Sequence, residues 1–313
     1  MRILVVGAGA VGGYFGGRLA QAGRDVTFLV RAKRAEEIDA NGIQIVSPHG
    51  DLTLWPKAIS AHQITKQYDV ILLSVKSYAL SGAMDDFALA VGPETMILPV
   101  LNGMHHIDVL VGRFGKHPIL GGVCLVATEI DEQGRIRQLA GLQSLTYGEL
   151  DGQSTSRLEQ LDDTLRGAGF DAAISSRIMQ DMWQKWVQLA ASGAITCLLR
   201  GNIGEIAAIP GGADLSLVVL RECASIAAVC GYPQSDAFLE RQTVDLTVHG
   251  SQLTTSMYRD LKKGASVEVD TILGDLLERG RKHGLKTQIL EAAFVNLSIY
   301  QRARELTSPA LNS

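Results

Sequence analysis

Apolar positions fall into two regimes along the chain. In the first half, short near-continuous apolar runs alternate with amphipathic stretches. Residues 2–6 and 25–30 are strand-like runs flanking a glycine-rich turn and a helical stretch over 11–22, closed by Gly23. Runs at 68–75 and 95–100 predict strands covered on both faces, as in parallel sheets. Pro99 should lie near its strand's end, since it cannot donate to a ladder. Helices are predicted over 33–40 and 77–91, the second ended by Gly92 and Pro93, with short strands at 42–46 and 52–54. Beyond Pro118 come strands at 119–130, 135–139 and 143–147 with a turn at 131–134, a helix over 154–167 and a strand over 171–175. From about residue 176 the pattern is helical throughout: 177–199, 214–230, 235–248, 267–283 and 287–305. The fold class is α/β: a doubly wound parallel sheet over 1–175, then an all-α domain over 176–313.

The turn after the first strand carries chemistry. Gly7, Ala8, Gly9, Ala10, Val11 and Gly12 spell G-x-G-x-x-G between a predicted strand and a predicted helix. That context makes the first domain Rossmann-type and the six residues a candidate dinucleotide site. Gly7 permits the tight turn, Gly9 lets the backbone approach a pyrophosphate, and Gly12 lets helix and strand pack closely. The pyrophosphate would lie at the helix N-terminus, where N–H groups and the dipole favour an anion. A turn that binds nothing is the bland alternative, which the strand–turn–helix context disfavours. A secretory signal is excluded by the glycines and by Arg18 within the segment.

An NAD site usually has Asp or Glu after its second strand to hold the ribose hydroxyls. Here Arg31 stands there, followed by Lys33 and Arg34. Cations without a carboxylate suit a 2′-phosphate, so NADPH/NADP+ is the expected cofactor. The alternative, a solvated start to the helix over 33–40, explains the bases but not the missing acid.

The 313 residues are 46% hydrophobic, ample for two domains. With 29 basic and 33 acidic residues and no block of one sign, neither nucleic acid nor a membrane surface is favoured as a partner. No apolar run is long enough to span a bilayer. Cys124, Cys197, Cys223 and Cys230 form no C-x-x-C, and no His/Cys spacing suits a metal. Cys223 and Cys230 read as core thiols, and a reducing cytoplasm fits.

Further candidates follow from position. Lys76 and Asn102 each come directly after a predicted strand of the sheet, where ligands of open α/β sheets bind. Ordinary turn chemistry would also put them there. Asp181, Gln184, Lys185, Gln188 and Ser192 form a polar stripe at helical spacing, which periodicity alone would leave as a solvated face. Ser256 opens the segment Ser256-Met257-Tyr258-Arg259-Asp260-Leu261. Glu268 opens an apolar helix, where a carboxylate also suits the helix N-terminus.

Together these segments resemble the ketopantoate reductase (2-dehydropantoate 2-reductase) family. The matching pieces are GAGAVGGYFGGRLAQAG, SVKSY around Lys76, LNGM around Asn102, MWQKW around Lys185, TCLLRGNIGE from Thr196 to Glu205, and SMYRDLKKGASVEVD from Ser256 to Asp270. They keep the family's order and span nearly the whole chain. The resemblance implies NADPH-dependent reduction of a 2-keto acid to a 2-hydroxy acid, 2-dehydropantoate or a close analogue. It implies Lys185 as proton donor to the ketone oxygen, Glu268 as its orienting partner, and Ser256 as a substrate contact. Lys76 would bind cofactor, and Asn102 both cofactor and substrate. It also implies a place in pantothenate biosynthesis, with a homodimer as the candidate assembly.

Leu189, Gly193 and Ile203 stand where the family carries asparagines that help hold its hydroxylated substrate. A more apolar 2-keto acid is therefore an alternative substrate. An NADP-dependent 3-hydroxy acid dehydrogenase is the rival enzyme, and a non-catalytic NADPH-binding sensor the rival of another class. The rival enzyme would use a similar helical-domain lysine but lacks the SMYRDL…GASVEVD segment as a signature, and the joint presence of Lys185, Ser256 and Glu268 speaks against the sensor.

Overall fold

The computed structural model describes residues 1–307, and the chain divides into two compact units. The first comprises Met1–Leu101 and His106–Met182, the second Asn102–His105 and Trp183 onward. The division at the second boundary falls inside a helix rather than in a linker, seven residues later than the expected start of the helical domain at 176.

The first unit opens with β1 (Arg2–Val6), α1 (Ala10–Gln21), β2 (Asp25–Leu29), α2 (Ala32–Asn41), β3 (Ile43–Val46), β4 (Leu52–Leu54) and β5 (Lys57–Ile59). It continues with β6 (Val70–Leu73), α3 (Leu80–Phe87), β7 (Met96–Pro99), α4 (His105–Phe114, with His105 in the second unit), β8 (Leu120–Ile130), β9 (Ile136–Glu149), α5 (Ser156–Leu165) and β10 (Asp171–Ile174). Five strands in the order β5-β2-β1-β6-β7 form one sheet, all in parallel register. The central strands are buried along almost their whole length, as both-face coverage requires. Pro99 ends the edge strand β7, where its missing N–H is tolerated.

The second sheet runs β10-β9-β3-β4, with β8 paired antiparallel to β9. Where two strands were expected over 135–147, β9 is one long strand. Its first residues pair with β3 and residues 144–147 with β10, while β8 pairs with both halves across a register shift that passes over residues 139–142. The expected helix over 77–91 is broken by tight helical turns at both ends, leaving α3 as its regular part. Phe15 of α1 meets Phe170 edge-to-face at 4.9 Å inside a core that also holds Val5, Phe28 and Leu145.

The second unit begins within α6 (Ile178–Leu199) and adds α7 (Ile203–Ala207), α8 (Gly212–Val229), α9 (Asp236–Thr247), α10 (Ser256–Lys262), α11 (Asp275–Lys282) and α12 (Gln288–Thr307). A wide π-type turn, Asp270–Gly274, leads into α11 in place of a regular start to the expected helix over 267–283. The ends of these helices are fixed by named groups. The Glu222 carboxylate of α8 accepts from the amides of Ile289 and Leu290, capping α12. Asn202 and Glu205 form a capping box on α7. α6 ends at Arg200 with φ 60°, and the Tyr258 hydroxyl donates to its carbonyl at 2.7 Å. Cys223 is buried as expected; Cys230, at the C-terminal end of α8, is only half-buried. Among the described residues no helix is long and apolar enough to cross a membrane.

Candidate active site

In the first unit the glycine turn has the geometry an anion needs. Gly7 sits at φ +96°, a conformation that favours glycine, and its N–H donates to the Leu29 carbonyl at 3.2 Å. A Cβ on Gly12 would collide with the Ser74 hydroxyl and the Gly7 carbonyl, so α1 packs directly on the end of β6. Ser74 locks that contact by donating to the Gly7 carbonyl at 2.9 Å. Gly9 is the opposite case: nothing lies within 4 Å of where its Cβ would be. It is also the N-cap of α1, with no side-chain cap and no acid in the first turn. Open space before an uncapped N-terminus fits a phosphate group. Ala8, Ala10 and Val11 complete the loop and first turn there.

Arg31 follows the end of β2 and is the N-cap of α2, where it is exposed with Lys33. Arg34 pairs with Glu37 at 3.0 Å, so the three cations are not equivalent. Lys76 is exposed and precedes a tight helical turn after β6.

The second unit gathers residues from three distant parts of the sequence. The short segment Asn102–His105 belongs to it. Gly103 has φ +78°, and a Cβ on it would meet the Thr271 carbonyl at 2.6 Å and lie 3.8 Å from Trp186 Nε1. The Trp186 indole N–H donates to the Ile272 carbonyl at 2.9 Å. Thus Asn102 flanks a junction at which α6 meets the π-type turn. Lys185 is the neighbour of Trp186, and Glu268 stands just before that turn. The Glu268 carbonyl accepts from the Ile272 amide at 3.0 Å, starting the helix. Lys185, Glu268 and Asn102 are all half-buried, so they are accessible and held at once. The polar stripe of α6 is accordingly not a fully solvated face.

Ser256 is the first residue of α10, also half-buried. The Thr255 hydroxyl lies 3.3 Å from that of Thr196, which ties the start of α10 to α6. Sequence reasoning missed the bracing around these residues. The Arg279 guanidinium lies over the rings of Trp183 and Trp186, 5.9 and 5.6 Å from their centroids, and bonds Asp275 at 3.0 Å. Tyr232 stacks on Trp183 at 5.2 Å. Tryptophans at spacing three on one helix were the available signal. Among the described residues no cluster of His, Cys, Asp and Glu could hold a metal ion.

A parallel sheet opened by a glycine turn, followed by a helical unit, is an arrangement suited to a nucleotide-dependent enzyme. Residues 3–152 match the ketopantoate reductase PanE/ApbA family and residues 177–301 its C-terminal counterpart. The chain belongs to this family. It is 35% identical over 301 residues to the uncharacterized oxidoreductase YkpB of Bacillus subtilis, covering 96% of this chain and 99% of that one. It is 27% identical over 322 residues to a 2-dehydropantoate 2-reductase of Mesorhizobium japonicum, covering 93% and 95% of the two. The crystal structure of 2-dehydropantoate 2-reductase from Geobacter metallireducens superposes with a TM-score of 0.87 at 27% identity, over 96% of this chain and 99% of that one.

Proposed function

We propose that the protein reduces a 2-keto acid to the 2-hydroxy acid with NADPH, as its 2-dehydropantoate 2-reductase relatives suggest. Support comes above all from one arrangement: residues 102, 185 and 268 are drawn to a common junction in the helical unit through Gly103, Trp186 and the turn at Thr271–Ile272. The dinucleotide, when bound, supplies a hydride to the ketone carbon. Lys185 donates the proton that the ketone oxygen takes up, and its positive charge stabilises the alkoxide as it forms. Glu268 orients the lysine ammonium. Ser256 holds the substrate's carboxylate or a neighbouring polar group, and Asn102 contacts both cofactor and substrate.

On the nucleotide side, Gly9 leaves room for the pyrophosphate at the N-terminus of α1, with Ala8, Ala10 and Val11 lining it. Arg31 receives the 2′-phosphate, a charge-assisted contact that NADH cannot make. Lys76 adds a second cation near the cofactor.

The test is NADPH oxidation followed by absorbance with a panel of 2-keto acids and 3-keto acids. Turnover of 2-keto acids is expected. Turnover of 3-keto acids alone would indicate a 3-hydroxy acid dehydrogenase, and NADPH binding without any turnover would indicate a sensor.

A further inference from the structure

Resting on the activity proposed above, we infer that the substrate's side chain is apolar and free of hydroxyl groups. Along α6, Lys185, Leu189 and Gly193 follow one another at intervals of four and share one face. One turn beyond the proton donor the chain offers a half-buried leucine. Two turns beyond it offers no side chain at all. The missing volume is filled: a Cβ on Gly193 would lie 2.8 Å from Met257 Cε, so the methionine methyl occupies that slot. Met257 is the residue after Ser256, in the first turn of α10, whose start is tied to α6 through Thr255 and Thr196. The stretch between Lys185 and Ser256 is thus bounded by Leu189, the bare backbone of Gly193 and the Met257 thioether.

The nearby hydroxyls already spend their protons within the chain. Ser192 donates to the Gln188 carbonyl and Thr196 to the Ser192 carbonyl, each at 2.6 Å. Further along, Asn202 is used as the cap of α7, and Ile203 is fully buried in the core. A substrate hydroxyl set against Leu189, Gly193 and Met257 would exchange water for apolar surface. An apolar group there would be matched by that surface. Pockets that hydrogen-bond a substrate hydroxyl reject its deoxy analogue by about 10⁴–10⁵-fold, whereas apolar pockets separate such pairs only weakly.

The decisive comparison uses two compounds that differ by that one group: 4-hydroxy-3,3-dimethyl-2-oxobutanoate and 3,3-dimethyl-2-oxobutanoate. We expect kcat/KM for the deoxy compound to equal or exceed that for the hydroxylated one. A preference of about a thousandfold or more for the hydroxylated compound, the mark of a dedicated hydrogen bond, would overturn the inference while leaving 2-keto acid reduction intact. Turnover of neither compound, nor of any other 2-keto acid, would instead overturn the activity, and this inference with it. The double variant Gly193→Asn/Met257→Ala vacates the slot and places an amide in it. Its ratio should move at least about tenfold toward the hydroxylated compound, roughly one neutral hydrogen bond's contribution. An unchanged ratio in a variant that retains activity would show that this face does not meet the substrate.

Discussion

The indole N–H of Trp186 donates to the main-chain carbonyl of Ile272 at 2.9 Å, joining α6 to the π-type turn that follows Glu268. A π-type turn displaces the regular ladder, and such turns recur at functional sites. Trp186 is fully buried, so the carbonyl it serves has no access to water as a substitute. The bond fixes the separation between the segment carrying Lys185 and the segment carrying Glu268.

Trp186→Phe keeps the ring and removes only the donor. Misplacing a catalytic group by about 1 Å can reduce turnover by about a hundredfold. The variant should lose about tenfold to a hundredfold in kcat with KM changed by less than about threefold. A fall in Tm with kcat unchanged would make Trp186 a packing residue only.

Lys185→Ala should lower kcat by about 10²–10⁴, the usual contribution of a general acid, and leave NADPH affinity nearly unchanged. Glu268→Ala should also lower kcat. The double variant should be much less impaired than the two losses summed, because residues that act as a unit are non-additive. Steady-state kinetics on the four proteins decide this. A Lys185→Ala protein that keeps more than about a third of wild-type kcat would return the lysine to a solvated stripe.

Arg31→Ala should weaken NADPH by about tenfold to a hundredfold and leave NADH nearly unaffected, since a charge-assisted contact contributes about 1.5–3 kcal/mol. Fluorescence titration with both cofactors is the measurement. Equal affinity of the wild-type protein for the two cofactors would remove the basis for the assignment.

The last prediction concerns acid stability. Glu149, at the end of β9, is buried, which pushes its carboxyl upward, but two bonds from Arg157 and one from Thr155 outweigh this and hold it below its ordinary value of 4.5. Its ionised form therefore stabilises the fold above pH 4.5, and that contribution disappears as pH falls through the lower folded value. Glu149→Gln should be less stable than wild type at neutral pH. The gap in Tm should close as the pH is taken down from neutral through that lowered folded value. A gap that stays constant across that range would mean the charge is irrelevant and only packing was lost.

Local signals carried much of the architecture. The β1–α1–β2 unit was readable because three periods change within thirty residues and glycines mark each change. The helices after residue 176 were readable from their periodicity. α4 was not, since it is short and the polar His106 takes a place on its buried face beside Ile107 and Leu110. β5 has three residues and exists only because β2 offers an edge. The split of β9 into two expected strands fell at Ala140 and Gly141, where the β8 ladder does shift register although the strand itself runs on. Lys185 and Glu268 could be found only through the family resemblance. Their shared junction depends on Gly103 and on a wide helical turn, neither of which leaves a periodic trace.

The contrast between Gly9 and Gly12 has a consequence for how this protein could lose its cofactor. Any side chain at Gly12 must push α1 off the sheet, because Ser74 and the Gly7 carbonyl already occupy its place. A chain altered there is removed by misfolding before binding comes into question. At Gly9 a methyl group meets only empty space and ordinary backbone angles, so the fold survives while the space proposed for the phosphate is taken. On the proposed placement of the pyrophosphate, a natural variant carrying alanine at residue 9 would stay folded while its hold on the dinucleotide weakened.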